Sequence, residues 1–401
     1  MAVEVESRRR DLHTVTLSHP EGLRVLVITN VPQPAVNAYL APLAAWEDIA
    51  EIVVVRDRPD IRCGPKMRLV TPPVWWPRSL VTRLVGRAWV LRREIGRRPP
   101  HLMMTVHWFP DGPVALRLAR RLGIPLIANI IGSRAELSDG GRRLALAPLP
   151  GLLKRRAEEY QRSCLNGVSL VTLTGRSTLE WFRAAGVNRP ALRVLHAAID
   201  TTRFCDHGER RDVDVAFVGR VHPDKRIDRL FRVLAGVGQH RPDLRATLVG
   251  VRREEADRFE EFGPAREVLG SRLVCLGQVE NVADILRRTK VLLLTSDTEG
   301  RSLAALEAMA CGAVPVVTEV GDMLEALDGG RAGVAIPKDE DEGVVVDRLA
   351  AAIVGLLEDE SRRAALAARG QDHVKREHAP SRTQEEWREV LDSALVAPCR
   401  G

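Results

Sequence analysis

Aromatic residues are scarce in this 401-residue chain, at 4%. With no stacking motif visible, nucleic acid is the weakest partner that its basic charge could attract. Long apolar runs are missing, and none approaches the roughly 18 residues that span a bilayer. Positions 1–20 (MAVEVESRRRDLHTVTLSHP) lack a continuous apolar stretch, so no signal peptide is expected, only a polar and partly disordered leader. The six cysteines (Cys63, Cys164, Cys205, Cys275, Cys311, Cys399) are scattered without a C-x-x-C pair. That spacing excludes a disulfide framework or structural zinc as the reading of choice and makes a reducing cytoplasm the expected compartment. Lysine is nearly absent, supplying six of sixty basic residues. The remainder is arginine, a bias that GC-rich coding explains better than mechanism.

The composition itself is that of a globular protein, with 45% hydrophobic and 28% charged residues. The length suits two domains of about 150–200 residues each. A net charge of +7 favours anionic partners such as nucleoside diphosphates or lipid headgroups. Short apolar runs alternate with amphipathic stretches, the signature of parallel sheets wrapped by helices. Strands are predicted at 23–29, 52–56, 102–106, 125–131 and 170–173, then again at 213–218, 246–249, 273–276, 291–294 and 314–317. Helices are predicted at 113–122, 154–164, 226–237, 282–290 and 303–309, with a last one from Pro380 to Val396. The polar stretch Asp200–Asp212 separates the two series. Residues 21–205 and 206–379 are therefore expected to form two Rossmann-like domains facing across a cleft, where ligands sit at strand C-termini.

Two loops carry the chemistry. In Thr295–Gly312 (TSDTEGRSLAALEAMACG) an apolar strand runs into a polar loop, Gly300 permits a tight path, and Ser302 is placed to cap the following helix. Backbone amides at such a helix start suit phosphate. Glu299 and Glu307 suit hydroxyls of sugar and ribose. In Val218–Lys225 (VGRVHPDK), Gly219 lets the chain turn while Arg220 and Lys225 set two cations near a strand edge. Each loop alone reads as solvated charge on an ordinary scaffold; together they describe a pocket for a nucleoside diphosphate bearing a sugar.

With these residues in view, Asp214–Lys375 resembles the C-terminal domain of family 4 glycosyltransferases, retaining enzymes of the GT-B architecture. The resemblance rests on VGRVHPDK, on SDTEGRSLAALEAMACGAVPVV with its glutamates eight residues apart, and on VGDMLE. It implies that Arg220 and Lys225 hold the donor diphosphate and neutralise the leaving group. It further implies that Glu307 binds ribose, that Glu299 binds the donor sugar, and that amides from Gly300, Arg301, Ser302 and Leu303 touch sugar or phosphate. Glu325 falls where the family keeps a glutamate. Fixed cations and a helix dipole would stabilise the departing diphosphate, so no metal or cofactor is implied. Asp212 and Asp214 mimic a D-x-D only as the opening of a strand.

The chain departs from the family pattern mainly in its first half. Pro32–Asn37 replaces a glycine pair, Ile131–Arg134 replaces a histidine turn, Ala197-Ala198 replaces Asn-Gly, and E-G-R-S replaces E-G-F-G. His107, after a predicted strand, is the cleft-facing histidine candidate, with a structural role equally open to it; His222 reads as a loop residue. Residues 72–100 hold seven arginines, one acid and three tryptophans around Leu80, Leu84, Leu91 and Ile95, with Arg83 and Arg87 on another face. This segment reads either as core-packed or as a peripheral membrane contact. By analogy with GT-B architecture, the helix within 380–401 should return to the N-terminal domain.

The expectation is thus a cytoplasmic, metal-independent retaining hexosyltransferase. Its donor would be a UDP-sugar ahead of a GDP-sugar, and its hydroxyl acceptor a lipid-linked cell-surface glycan or a small molecule. A nucleotide-sugar epimerase and a non-catalytic scaffold of the same architecture are the alternatives.

Overall fold

A computed structural model of the chain describes residues 21–73, 80–132, 137, 151–338, 341–396 and 399. The predicted leader, Trp75, Trp76, Ser133 and Arg134 lie outside these residues. The first sheet has seven strands: β1 (Leu23–Thr29), β2 (Ile49–Val55), β3 (Met67–Val70), β4 (Leu102–Val106), β5 (Leu126–Ile130), β6 (Leu170–Leu173) and β7 (Ala191–Val194). The second has six: β8 (Val213–Val218), β9 (Ala246–Val249), β10 (Leu273–Gly277), β11 (Thr289–Leu294), β12 (Val314–Glu319) and β13 (Val334–Pro337). Every pairing is parallel. The orders are β3-β2-β1-β4-β5-β6-β7 and β10-β9-β8-β11-β12-β13. The fold is therefore two Rossmann-like α/β domains, with central strands such as β1, β4 and β5 buried on both faces.

Strand order fixes where chemistry can occur. The order in which strands are added reverses once in each sheet, between β1 and β4 and between β8 and β11, and the loops after those strands border a crevice. In the second sheet they are the loops that begin at Gly219 and Thr295, the two singled out in the sequence. In the first they begin at Asn30 and His107.

Several elements differ from expectation. Strand β2 starts at Ile49 rather than Ile52. The helix expected over 282–290 stops at Arg287, because Thr289 joins β11 and pairs with Val213. Strands β3, β7 and β13 were not predicted. All three lie at or beside a sheet edge and alternate partly exposed residues, so they lack the continuous apolar run that marks a central strand. The stretch Asp200–Asp212 is no free tether. Phe204 is buried in the second domain's core, and the Asp200 carboxylate accepts hydrogen bonds from the Thr202 and Arg203 amides. Asp212 and Asp214 pair with Arg288 and Lys290 at the opening of β8.

The helix Pro380–Leu395 sets Trp387, Val390, Leu391 and Ala394 into the core beneath the first sheet, and Trp387 Nε1 donates to the Tyr39 carbonyl at 2.8 Å. In the helix Leu80–Arg97, Leu91 is buried as its spacing predicts, while Arg87 is not on a solvent face. It is buried against Asp57 at 3.1 Å and Asp111 at 2.6 Å, tying the loops after β2 and β4 to this helix. An arginine with two carboxylates within reach is more stable inward than its place on a helical wheel suggests. Among the described residues no helix is long and apolar enough to cross a membrane.

Candidate active site

The loops after β8 and β11 are laced together by their own backbone. Asp297 donates its amide to the Asp224 carbonyl at 2.8 Å, and Thr295 Oγ1 donates to the Lys225 carbonyl at 3.0 Å. Behind them Arg229, with its side chain only 2% exposed, pairs with Glu342 at 2.7 Å and Asp297 at 3.1 Å. Arg226 joins the same carboxylates and Asp228. A buried guanidinium so fully answered holds both loops in one register. Sequence reading missed this brace, and its only trace was the charge density of R-I-D-R after Lys225.

Lys225 projects from this frame onto Glu299, and their side chains form an ion pair while Ser296 Oγ donates to the same carboxylate at 2.8 Å. The cation from one loop and the carboxylate from the other therefore meet at the switch point. Arg220 is exposed and has no ion pair among the described residues. Gly219 is needed where it stands, since an added Cβ would lie 2.8 Å from the Phe217 ring, and the facing Gly250 (φ 84°) passes close to the Gly219 carbonyl.

The helix Leu303–Ala310 begins where expected, but Ser302 does not cap it through its hydroxyl. Its amide instead points to Met323 Sδ at 3.4 Å, because the β12 loop folds over the helix start. Among the described residues the amides of Gly300, Arg301 and Leu303 have no hydrogen-bond acceptor. The Arg301 side chain is buried away from Lys225, paired with Glu325 at 2.7 Å and close to His378. Only its backbone is left to face a ligand.

One turn further, Glu307 lines a cleft cavity of about 570 Å³ together with Val218, Val279, Glu280 and Leu303 from the second domain and Gln33 and Asn37 from the first. Its carboxyl opens to this cavity yet lies deep in the protein, and burial pushes its pKa up to about 7 against the opposing charge of Arg203. Glu307, Leu303 and Val218 thus share one cavity. Lys225, Glu299 and Arg220 do not line it, and they belong to the loops leading out of it.

Across the cleft, His107 follows β4 with a left-handed backbone (φ 67°), an uncommon conformation for a non-glycine residue. Its amide donates to the Asn129 carbonyl. Asp111, further along the same loop, is raised to about 6 by burial despite its Arg87 partner. His222 stays within its own turn, against Asp224.

The domains are joined beside the site by a residue that the sequence did not single out. Asp322 is 1% exposed and accepts hydrogen bonds from Thr174 Oγ1 at 2.7 Å, Thr178 Oγ1 at 2.7 Å and the Thr178 amide at 2.9 Å, all from the first domain. It caps the helix Arg176–Ala184 from outside its own domain. Glu325 accepts from the Arg176 amide at 2.8 Å. Gly321 beside it must be glycine (φ 57°), for a Cβ there would meet the Glu299 carbonyl. The interdomain bond and the Glu299 loop are therefore in direct contact. Among the described residues no group of three or more histidine, cysteine or acidic side chains is placed to hold a metal ion.

Residues 39–203 match the family model described as Glycosyltransferase Family 4, and residues 212–359 match that described as Glycosyl transferases group 1. A GDP-mannose-dependent monoacylated alpha-(1-6)-phosphatidylinositol monomannoside mannosyltransferase of Corynebacterium glutamicum is 25% identical over 88% of this chain and 94% of its own length. A D-inositol 3-phosphate glycosyltransferase of Kribbella flavida is 26% identical over 71% of this chain and 70% of its own. Among solved structures, sucrose-phosphate synthase from Thermosynechococcus elongatus shares the fold with a TM-score of 0.74 at 18% identity, covering 93% of this chain and 99% of that one. HepE of Anabaena, solved with UDP and glucose, has a TM-score of 0.68 at 17% identity over 92% of this chain and 100% of that one.

Proposed function

The chain belongs to the family 4 glycosyltransferases of GT-B architecture, and from that premise we propose that it moves a hexose, with retention, from a nucleoside-diphosphate sugar to a hydroxyl acceptor. The observation that carries this reading is the Lys225–Glu299 ion pair at the β8/β11 switch point, followed in the chain by the unanswered amides of Gly300, Arg301 and Leu303, with Leu303 lining the same cavity as Glu307. Glu307 in the cavity suits the ribose hydroxyls, and the amide end of the helix Leu303–Ala310 suits the diphosphate. Lys225 and Arg220 supply positive charge to the leaving group, so the reaction proceeds without a metal. Lys225 already touches Glu299, which leaves the ammonium poised between the sugar-binding carboxylate and the phosphates.

The family pattern of the loops supports retention and a hexose donor in this reading. Both uridine and guanosine donors fit the reading: HepE was solved with UDP, and the C. glutamicum relative is named for GDP-mannose. Both relatives are named for inositol-bearing acceptors, one lipid-linked and one not, so the acceptor here is a polyol hydroxyl on a lipid carrier or on a small molecule. Action on the cytoplasmic side, where such donors are made, completes the proposal.

The test is calorimetric titration with UDP- and GDP-hexoses, whose phosphates do not titrate near neutrality. A carboxyl near pKa 7 must lose its proton to accept two ribose hydroxyls. Donor affinity should therefore rise about tenfold per pH unit below 7 and level off above it. In Glu307→Gln that slope should vanish along with most of the affinity. No heat with any nucleotide sugar would favour the scaffold reading. Transfer should survive EDTA, and sugar interconversion without an acceptor would indicate the epimerase.

A further inference from the structure

The burial of Arg301 does not follow from packing. Its side chain is 2% exposed, and its Nε has no hydrogen-bond partner among the described residues. An apolar side chain of similar volume would fill the space without desolvating a cation. What the guanidinium touches is therefore informative. It pairs with Glu325 at 2.7 Å and donates through Nη1 to His378 Nε2 at 3.4 Å. It also lines a cavity of about 960 Å³ that shares no residue with the cleft cavity around Glu307. The side chain thus leaves the donor side of its loop while its own amide stays there, unanswered, between those of Gly300 and Leu303.

Both contacts lead across the domain junction. Glu325 accepts from the Arg176 amide at 2.8 Å, at the start of a first-domain helix. His378 sits where the chain crosses between the domains. Its Nδ1 bonds the Ala197 carbonyl at 2.8 Å, and its own carbonyl accepts from the Ile199 amide at 2.8 Å. A ring nitrogen that bonds a carbonyl must carry the proton, so Nε2 of the neutral ring is the acceptor that Arg301 needs. Burial, and after it the Arg301 charge, hold His378 well below the usual histidine range and keep the ring neutral. The loop is also pressed on the first domain directly, for a Cβ at Gly300 would stand 2.6 Å from the Ile131 carbonyl oxygen.

We propose that Arg301 is a positioning residue, whose side chain ties the amides of residues 300–303 to the packed arrangement of the two domains through Glu325 and His378. Separating the domains pulls on Glu325 and His378 together, and both pull on one guanidinium beside two of the unanswered amides. The loop is then set for a departing diphosphate only while the domains are joined. This deepens the transferase reading and rests on it. It also gives a role to the arginine that stands in E-G-R-S where the family pattern has phenylalanine.

The test combines transfer kinetics, donor calorimetry and amide hydrogen exchange on the full chain. Arg301→Met should lower kcat about 100-fold, the usual cost of a misplacement near 1 Å. Donor Kd should move by less than about threefold, because the contacts to Glu307 and Lys225 are kept. Arg301→Lys, which can keep the pair with Glu325, should recover part of the loss. His378→Asn should also lower kcat, and the Arg301→Met/His378→Asn variant should be no worse than Arg301→Met, since both break one link. The Arg176 and Ile199 amides should exchange faster in Arg301→Met. A merely structural arginine would instead lower the melting temperature and leave kcat of the folded protein unchanged, which would overturn the proposal, as would effects that multiply in the double variant. Should Arg301→Met fail to fold, Glu325→Gln carries the same test, since its amide oxygen still accepts from Arg176 and only the charge facing Arg301 is lost. If the unaltered chain moved no sugar, the transferase reading would fail on its own. Exchange at Arg176 and Ile199 would still decide the clasp, and unchanged rates there would overturn it.

Discussion

The two domains share one topology, but they equip its switch point differently. In the second domain the loops after β8 and β11 are held by Arg226 and Arg229 against Asp297, Asp228 and Glu342, and they present a lysine, two glutamates and free amides. In the first domain the corresponding loops carry Asn30 and the strained His107, and the nearby brace, Arg87 between Asp57 after β2 and Asp111 after β4, contains no residue that lines the cleft cavity. A charged ligand with fixed geometry needs the first arrangement. On the proposed reading, a polyol acceptor of variable shape needs only a wall that can be altered, and most departures from the family pattern lie in that domain.

The comparison can be broken most severely at Lys225. Lys225→Ala should cut transfer about 10²–10³-fold with a smaller change in donor affinity, because the lost charge acts on the departing diphosphate. Steady-state kinetics would show it as a fall in kcat. His107→Ala, on the acceptor side, should cost less in kcat and more in acceptor KM. If His107→Ala were the more damaging of the two, the contrast drawn between the domains would be wrong.

Asp322 is where the halves are joined, so its removal sharpens the comparison. Asp322→Ala strips three buried donors of their shared acceptor and should destabilise the protein by about 2–4 kcal/mol. Denaturant unfolding should then split into two transitions, since the domains would no longer report each other's state. A single unshifted transition would show that the interdomain bond contributes nothing to cooperativity. The smallest effect is expected at Ser302. Its hydroxyl makes no capping bond, so Ser302→Ala should change stability by less than about 0.5 kcal/mol, well under the usual cost of losing an N-cap.

What the sequence disclosed and what it hid follow the same division. Central strands such as LRVLVIT and LMMTV were legible because burial on both faces demands uninterrupted apolar residues. Met67–Val70, Ala191–Val194 and Val334–Pro337 were not, because they are partly exposed. That Lys225 and Glu299 stand on neighbouring loops, and Glu307 on the helix that follows, could be read from spacing within short segments. Asp322, Arg229, and Arg301 with its Glu325 and His378 neighbours could not, since their roles exist only once distant segments meet. Ser302 is the instructive error: its position was right and its hydroxyl bond wrong, because a neighbouring loop brings Met323 to the amide first.

The most direct measurement is a crystal structure of the chain with an intact nucleotide sugar. It should place the pyrophosphate between Lys225 and the amides of residues 300–303, with the ribose on Glu307 and the sugar beside Glu299. A diphosphate bound elsewhere, with the Lys225–Glu299 pair undisturbed and the Glu307 cavity empty, would contradict the account.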